Sequence, residues 1–421
     1  MGTVMTRATC SSIAPSTLLA TDQLPYPPRN GITLPTYNYA VHLMETQTVE
    51  ILLFADASAA VDVDALAENE KIFGKIHVVY LTRKGRVSRL FGELLGLEMY
   101  QHGWRNANIS EVEKRASIDT VIVSPISAVA KWRSSGLQES TRCHLSIAAL
   151  NDCTTAEYYF RLQQGFGGIK AIVKSLVDRL RCRRIAKIEA QLLAKYHHVL
   201  LQTKTDLDLM ARLVSPETAS RVVTVPNGVR EEYLGLEPSL ENNKVVFVAE
   251  LSGEYDVVAR WLVTEVWPEV VKRDSVCQLV IVGKGASNLL KQAIQASPRT
   301  THIEFVEDLC QLYSQAMIAL SPVFKGFGLI NKTLEAMASC VPVVGGTAAF
   351  NGIVGFSSGE HGIACRSRAT TEFVDAISQL ACDPARRAII GKAGRALVEH
   401  QFRWEFSVSK IQSLIDNKVA C

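Results

Sequence analysis

Lys332 and Glu335 stand three residues apart, just after a turn that holds Gly326 and Gly328. Their types and spacing fit recognition of a phosphate and of sugar hydroxyls. The stretch from Ser321 to Val344 reads strand, glycine-containing loop, helix, strand. Two glycines let a backbone turn tightly and approach a ligand with no Cβ in the way. A helix that follows such a loop aims its first N–H groups and the positive end of its dipole at the same place, which favours phosphate. Gly328, Lys332 and Glu335 fall at i, i+4 and i+7, so one face of a continuous helix would carry all three. At about 1.5 Å of rise per residue, Gly328 and Glu335 would lie roughly 10 Å apart, near the span from a nucleotide's terminal phosphate to its ribose. A carboxylate accepts from two vicinal hydroxyls at once, and an ammonium beside it would sit against a diphosphate. The same two residues equally make an i,i+3 surface ion pair, which has no chemical role. Ile330, Leu334 and Met337 repeat the spacing on another face and are expected in the core.

The elements that must hold this helix are short β-branched runs alternating with helix-length segments. Strand candidates are Ile51–Phe54, Ile76–Tyr80, Thr120–Val123, Val199–Leu201, Val222–Val225, Val245–Val248, Leu279–Val282, Ile303–Val306, Ile318–Ser321 and Val341–Val344. Several are apolar without alternation, as strands buried on both faces are. The alternation predicts an α/β fold with parallel sheets under covering helices. Pro226-Asn227-Gly228 reads as a linker turn, and the polar stretch from Glu231 to Lys244 precedes a new strand. The expected division is therefore 1–235 and 236–400, two doubly wound domains, with a closing helix in 401–421 that packs on one of them. Trp261, Trp267 and Trp404 are expected to anchor helices.

The chain has 421 residues, 48% hydrophobic and 21% charged, with a net charge of +3. Those values exclude a mainly disordered chain and give no electrostatic case for nucleic acid. No apolar run reaches the 18 or so residues of a membrane span, and residues 1–20 lack the apolar core of a secretory signal. Met1-Gly2 with Thr6 fits only the loose myristoylation pattern. Ten dispersed cysteines without a Cys-x-x-Cys pair read as reduced thiols of a cytoplasmic protein, and no His or Cys spacing suggests a metal. From Lys170 to Lys195 eight Lys or Arg stand against Asp178 and Glu189. Val173, Leu176, Val177, Leu180, Ile188 and Leu192 would form the buried face of that basic helix. Its solvated side would suit peripheral contact with an anionic membrane at the inner face.

Gly326-Phe-Gly328, Asn331-Lys332, Leu334-Glu335-Ala336-Met337-Ala338 and Pro342-Val343-Val344 together resemble the hallmark of glycosyltransferase family 4, the glycosyl transferases group 1 of GT-B fold. The Asn-Lys-x-Leu-Glu form resembles one branch of it. Pro25 to Gly31, Thr203 to Asp206, Val223 to Val229, Ala259 to Trp261, Val266 to Pro268 and Phe402-Arg403-Trp404 resemble further family segments in order. The resemblance implies two Rossmann-like domains facing a central cleft. It implies a retaining, metal-independent transferase without cofactor, moving a sugar from a UDP- or GDP-linked donor to a glycan, lipid-linked sugar or small metabolite. Such activity belongs to polysaccharide or glycoconjugate biosynthesis. Donor contacts are then expected from Gly326, Phe327, Gly328, Leu329, Asn331, Lys332 and Glu335, with the base near Val306 and catalysis carried by Lys332 and Glu335. On the N-terminal side of the cleft the expected residues are Arg29, Gly31, His144 and Asp152.

The chain departs from the family at two places. Phe327 occupies the position of the earlier acid in a Glu-x(7)-Glu pair, with Lys325 close by. Ala249 to Glu254 carries none of the Arg and Lys common after the first C-terminal strand. These departures leave a rival reading open: a non-catalytic nucleotide-sugar-binding or assembly protein of the same fold, or an epimerase or phosphorylase. Val280 to Asn288 is an incomplete Gly-x-Gly-x-x-Gly, read as an ordinary strand-to-helix turn. Asn151 and Asp152 follow an apolar strand and fit either a ligand edge or a helix N-cap.

Overall fold

The computed structural model describes residues 16–83, 104–106, 118–151, 155, 179–180, 182–187, 189–191, 193–273, 276–324, 328–366 and 368–419. The chain divides into two compact units: Met1–Asn151 with Gln191–Val199 and Ile411–Cys421, and Asp152–Ala190 with Leu200–Lys410.

The first sheet contains β1 (Ser16–Thr21), β2 (Thr48–Asp56), β3 (Ile76–Arg83), β4 (Trp104–Asn106), β5 (Ile118–Val123), β6 (Cys143–Asn151), β7 (His198–Leu201) and β8 (Val222–Thr224). Their order is β4-β3-β2-β1-β5-β6-β7-β8. β1 pairs in parallel with β2 and β5, and β2–β3 and β5–β6 are parallel too, while β4 runs antiparallel to β3. β1 was not among the expected strands, because Ser16 and Thr17 make it look polar. Thr17 is nevertheless buried, its hydroxyl donating to Gln47 Oε1 at 2.7 Å.

The second sheet contains β9 (Lys244–Val248), β10 (Gln278–Val282), β11 (Thr300–Ile303), β12 (Ala316–Ser321), β13 (Val343–Gly346) and β14 (Ile363–Cys365), in the order β11-β10-β9-β12-β13-β14. Every neighbouring pair is parallel. Val245 and Phe247 pack into one apolar cluster, with Trp261, Trp267 and Phe373, and Val246 packs into the other, with Leu334 and Met337. Both faces are thus covered, which is why β9 shows no alternation. Strand order reverses direction between β9 and β12, and in such sheets ligands bind outside the carboxyl ends of the strands at that point. β11 lies three residues earlier than Ile303–Val306. Its polar Thr-Thr-His opening suits an edge strand, and Phe305 beyond it is exposed.

Trp261, Trp267 and Trp404 are buried, and the Trp267 indole N–H donates to Pro298 O at 2.8 Å. The closing helix spans Trp404–Val419, and its Gln412 Oε1 accepts from Thr46 and from Gln47. The basic helix is corrected in its buried face. Among the described residues Cys182, Ile185, Glu189 and Leu193 are buried, whereas Leu180 is 56% exposed. The helix is turned because Glu189 is not a solvated acid: its carboxylate accepts from the Thr155 backbone N–H and hydroxyl. Residues 156–178, 181, 188 and 192 lie outside the described residues, as do residues 1–15 with the myristoylation pattern. No described helix is long and apolar enough to cross a membrane. The described cysteines, including buried Cys182, Cys277 and Cys365, are free thiols.

Candidate functional site

β12 is buried along its whole length and delivers the chain to the switch point of the second sheet. Lys325, Gly326 and Phe327 lie outside the described residues. Gly328 takes a φ of 78°, a conformation that only glycine adopts without strain, and Leu329 is buried behind it. The helix that follows runs Asn331–Ala338, with Ile330 as N-cap. Gly328 therefore sits in the turn and not on the helix, which corrects the expected continuous face. The backbone reverses at Gly328 so that Leu329 can enter the core before the first helical residue. Asn331 to Glu335 then rise about 6 Å along the axis.

The side-chain distribution along this helix follows the expected pattern. Leu334 and Met337 are fully buried and Ile330 is packed against the same apolar cluster. Ser321 Oγ lies 2.8 Å from Thr333 Oγ1, tying the end of β12 to the first helical turn, and Ser339 Oγ donates to Glu335 O at the last turn. Lys332 Nζ donates to both carboxylate oxygens of Glu335, at 2.8 and 3.1 Å. The pair is not a surface pair. The Glu335 side chain is 11% exposed and the Lys332 side chain 38%, so the acid is fixed in the protein while the ammonium reaches solvent.

Behind Glu335 stand Tyr233 and Tyr313, edge to face with ring centroids 6.0 Å apart. Burial, reinforced by the Glu335 charge, drives both phenols far above their ordinary range, so both stay neutral donors. Tyr313 Oη donates to Lys332 O, and Arg230 donates to Tyr233 Oη at 3.1 Å. Burial pushes the neighbouring Cys310 thiol up to about 11, so it too is neutral.

The Pro226-Asn227-Gly228 segment is more than a linker turn. Buried Asn227 accepts from Gln202 Nε2 and donates to Asn331 Oδ1, both at 3.1 Å, so a chain of amides ends on the first helical residue. Gly228 lies under Trp404: a Cβ there would meet the indole and the Trp404 backbone nitrogen at 2.6 Å. Sequence reasoning missed Asn227 and Gln202 as positioning residues; the one signal was an Asn before Gly at a strand end.

The remaining expected residues are spread. Val306 is half-buried in the loop after β11, against the cluster that holds the Asn331–Ala338 helix. The nearby turn after β10 leads to a helix capped by Ser287, and Lys284 Nζ lies 4.6 Å over the Phe305 ring. In the first unit Arg29 and Gly31 are exposed before the helix Thr33–Leu43, whose start is held by Asn30 Oδ1 accepting from the Ile32 and Thr33 N–H groups. Asn151 ends β6 with a φ of 65°, buried, its Nδ2 donating to Gly31 O at 3.5 Å. Asp152 lies outside the described residues. His144 is not beside Gly31. It sits at the start of β6, at the opposite end from Asn151, 73% exposed and 3.4 Å from Asp119. The two ends of β6 are separated by the strand length, so His144 does not reach the end where Asn151 meets Gly31.

Sequence comparison bears on the segment that carries the second sheet. Residues 242–383 match the family described as glycosyl transferases group 1. The group 1 segment contains β9 to β14 and the whole Asn331–Ala338 helix. A GDP-mannose-dependent monoacylated alpha-(1-6)-phosphatidylinositol monomannoside mannosyltransferase of Corynebacterium glutamicum is 28% identical over 36% of this chain and 42% of its own length. A D-inositol 3-phosphate glycosyltransferase of Corynebacterium aurimucosum is 31% identical over 26% of this chain and 25% of its own. The chain thus spans less than half the length of these curated relatives. Among solved structures, Anabaena Alr3699/HepE in complex with UDP and glucose is similar at a TM-score of 0.66 and 16% identity, over 95% of this chain and 99% of that one. Sucrose-phosphate synthase from Thermosynechococcus elongatus is similar at 0.65 and 16%, over 96% and 99%. These likenesses carry the fold alone: two parallel-sheet α/β domains of GT-B type.

Proposed function

We propose that this chain is a glycosyltransferase that takes a sugar from a nucleotide diphosphate carrier and retains its anomeric configuration without a metal. The observation that carries the reading is Glu335, fixed among Tyr233 and Tyr313 one helical turn beyond the Gly328 turn, inside the group 1 segment. The relative from Corynebacterium glutamicum is named for GDP-mannose, and the Anabaena structure holds UDP and glucose, which supports a UDP- or GDP-linked donor.

On donor binding Lys332 exchanges the Glu335 carboxylate for the diphosphate, and the two carboxylate oxygens accept from the ribose hydroxyls. As the bond from the sugar to the diphosphate breaks, charge grows on the leaving oxygens. Lys332 and the first-turn N–H groups stabilise that charge more than they stabilise the ground state. The acceptor oxygen bonds the anomeric carbon on the face the diphosphate leaves, and its proton passes to a diphosphate oxygen, so no protein nucleophile is needed. Residues 236–400 hold the donor in this reading, and residues 1–235, around Arg29, Gly31, Asn151 and Asp152, recognise a glycan, lipid-linked or small-molecule acceptor. Basic residues of 170–195 would hold the chain on an anionic membrane surface.

Phe327 in the place of the earlier acid favours one rival, a binding protein without turnover. Incubation with a panel of UDP- and GDP-sugars separates the two. Release of nucleotide diphosphate supports the transferase, and a thermal shift without release supports the rival. A panel that neither shifts the melting temperature nor releases nucleotide overturns both.

A further inference from the structure

A cavity of about 360 Å³ opens in the second unit at the edge of the sheet opposite Gly328. Ala316 and Met317, which begin β12, and Pro342, which precedes β13, form its apolar floor. The Gly328 turn lies past the other end of β12, a six-residue strand, so the two places are separated by about 20 Å of strand. The cavity falls within the roughly 300–1,000 Å³ of small-molecule sites, which combine apolar walls with a few polar groups.

Its charge is uneven. Arg387, Lys392 and Arg395 line it together with Glu237 and Glu399, and Lys392, Arg395 and Glu399 share one face of the helix Pro384–Gln401. Glu399 is engaged through Oε1 by Arg403, which offsets its charge beside the cavity cations. Arg387 is buried, with its guanidinium spent on the carbonyls of Leu380, Ala381 and Leu240. Arg395 is spent only in part. Its Nε donates to Ala338 O, the last residue of the donor helix, at 3.0 Å, while its buried Nη2 has no partner among the described residues. Lys392 adds an exposed ammonium. A hydrophobic recess beside a guanidinium with unspent donor capacity and a second cation fits an anionic head on an apolar body.

We propose that this cavity is a second ligand site, distinct from the donor site, for a small amphiphilic anion: a carboxylate or phosphate monoester on an aromatic or short aliphatic body. The apolar body lies on Met317 and Pro342, and the head group meets Arg395 and Lys392. The ligand would then sit against the C-terminal end of the helix whose N-terminal end faces the donor.

Calorimetric titration of the full chain with phenyl phosphate and with 4-phenylbutyrate tests the assignment, with inorganic phosphate and 4-phenylbutanol as half-ligand controls. At least one of the two anions should bind the wild type, and each control at least tenfold more weakly. Arg395→Met should weaken the anion at least tenfold. Because that change also removes the bond to Ala338 O, Ala396→Trp serves as the second variant: Ala396 is exposed at the cavity wall, and an indole there fills the space without touching a buried bond. It should abolish binding while leaving the melting temperature unchanged. UDP should not displace the anion. Failure of both anions to bind, undiminished binding in Ala396→Trp, or displacement by UDP would each overturn the second site.

Discussion

The Lys332 ammonium sits 2.8 and 3.1 Å from the two Glu335 carboxylate oxygens, and the two partners differ sharply in exposure. Glu335 is nearly buried and near enough to Tyr233 and Tyr313 for its charge to help keep their phenols neutral, whereas the Lys332 side chain is partly exposed. One partner is therefore a fixed acceptor and the other a movable cation. In the proposed reading this asymmetry suits exchange of the carboxylate for a ligand; an ordinary i,i+3 pair has both ends solvated and is worth a few tenths of a kcal/mol.

Glu335→Gln keeps the shape and loses the charge. In the proposed reading two charge-assisted bonds to the ribose become neutral, and UDP should bind about 1–3 kcal/mol more weakly. Calorimetric titration of UDP reads this directly. Unchanged affinity would remove Glu335 from the donor site.

Lys332→Ala should act on turnover more than on binding. Stabilisation of the leaving diphosphate grows as the bond breaks, so kcat should fall about a hundredfold with a smaller change in KM. The melting temperature should fall as well, because a carboxylate that is mostly buried loses its partner. Equal losses in kcat and in donor affinity would argue that Lys332 contributes ground-state binding alone.

Gly228→Ala tests the close approach of the Pro226–Gly228 turn to Trp404. A Cβ would stand 2.6 Å from the indole and from the Trp404 backbone nitrogen, so the helix start must move. Overpacking of this kind costs about 1–3 kcal/mol. Gly235→Ala is the control, since its nearest neighbour, Glu232 O, would be 3.9 Å away. Chemical denaturation should show a loss for the first variant and none for the second.

Asp119 makes one contribution to stability depend on acid pH. The Ser16 backbone N–H, at 2.8 Å, is the main cause that holds its carboxyl below the ordinary range, with the Ser16 hydroxyl and His144 adding to it. A folded pKa below the unfolded one, about 3.9 for Asp, gives stability that is present above that value and lost as pH falls through the folded pKa. Asp119→Asn should therefore melt below the wild type at pH 6, with the gap closing toward pH 3. A gap that is constant with pH would show that the charge on Asp119 plays no part.

The sheets, the site helix and its core face were legible because each rests on a local pattern. Unbroken Val and Ile runs marked β9 and β10, and Leu334 with Met337 marked the buried side of the helix. Features set by distant partners were not legible. Nothing near Glu189 in sequence announces Thr155, so the local pattern alone puts Leu180 inside. The helix was read from Gly328 because the period of three and four continues through Leu329 and Ile330, although the positive φ of Gly328 breaks it. His144 stands at the start of β6, the strand end away from Asn151, a placement that its residue type does not announce.

Asn227 joins these levels, since a residue that reads as a turn holds the first residue of the site helix. Its amide stands between buried Gln202 Nε2 and half-buried Asn331 Oδ1. Asn227→Ala leaves the buried Gln202 donor without its partner, at a cost of about 1–3 kcal/mol, and frees the half-buried Asn331 acceptor. Asn227→Asp keeps the acceptor for Gln202 but sets a carboxylate against Asn331 Oδ1. That contact is repulsive unless the Asn331 amide rotates to present its NH2. Rotation would turn the Asn331 side chain while leaving the helix backbone in place. The expected outcome is a lower melting temperature for both variants, with UDP affinity reduced in Asn227→Ala by the loosened first turn. Equal UDP affinity in wild type and Asn227→Ala, despite a lower melting temperature, would confine Asn227 to holding the fold.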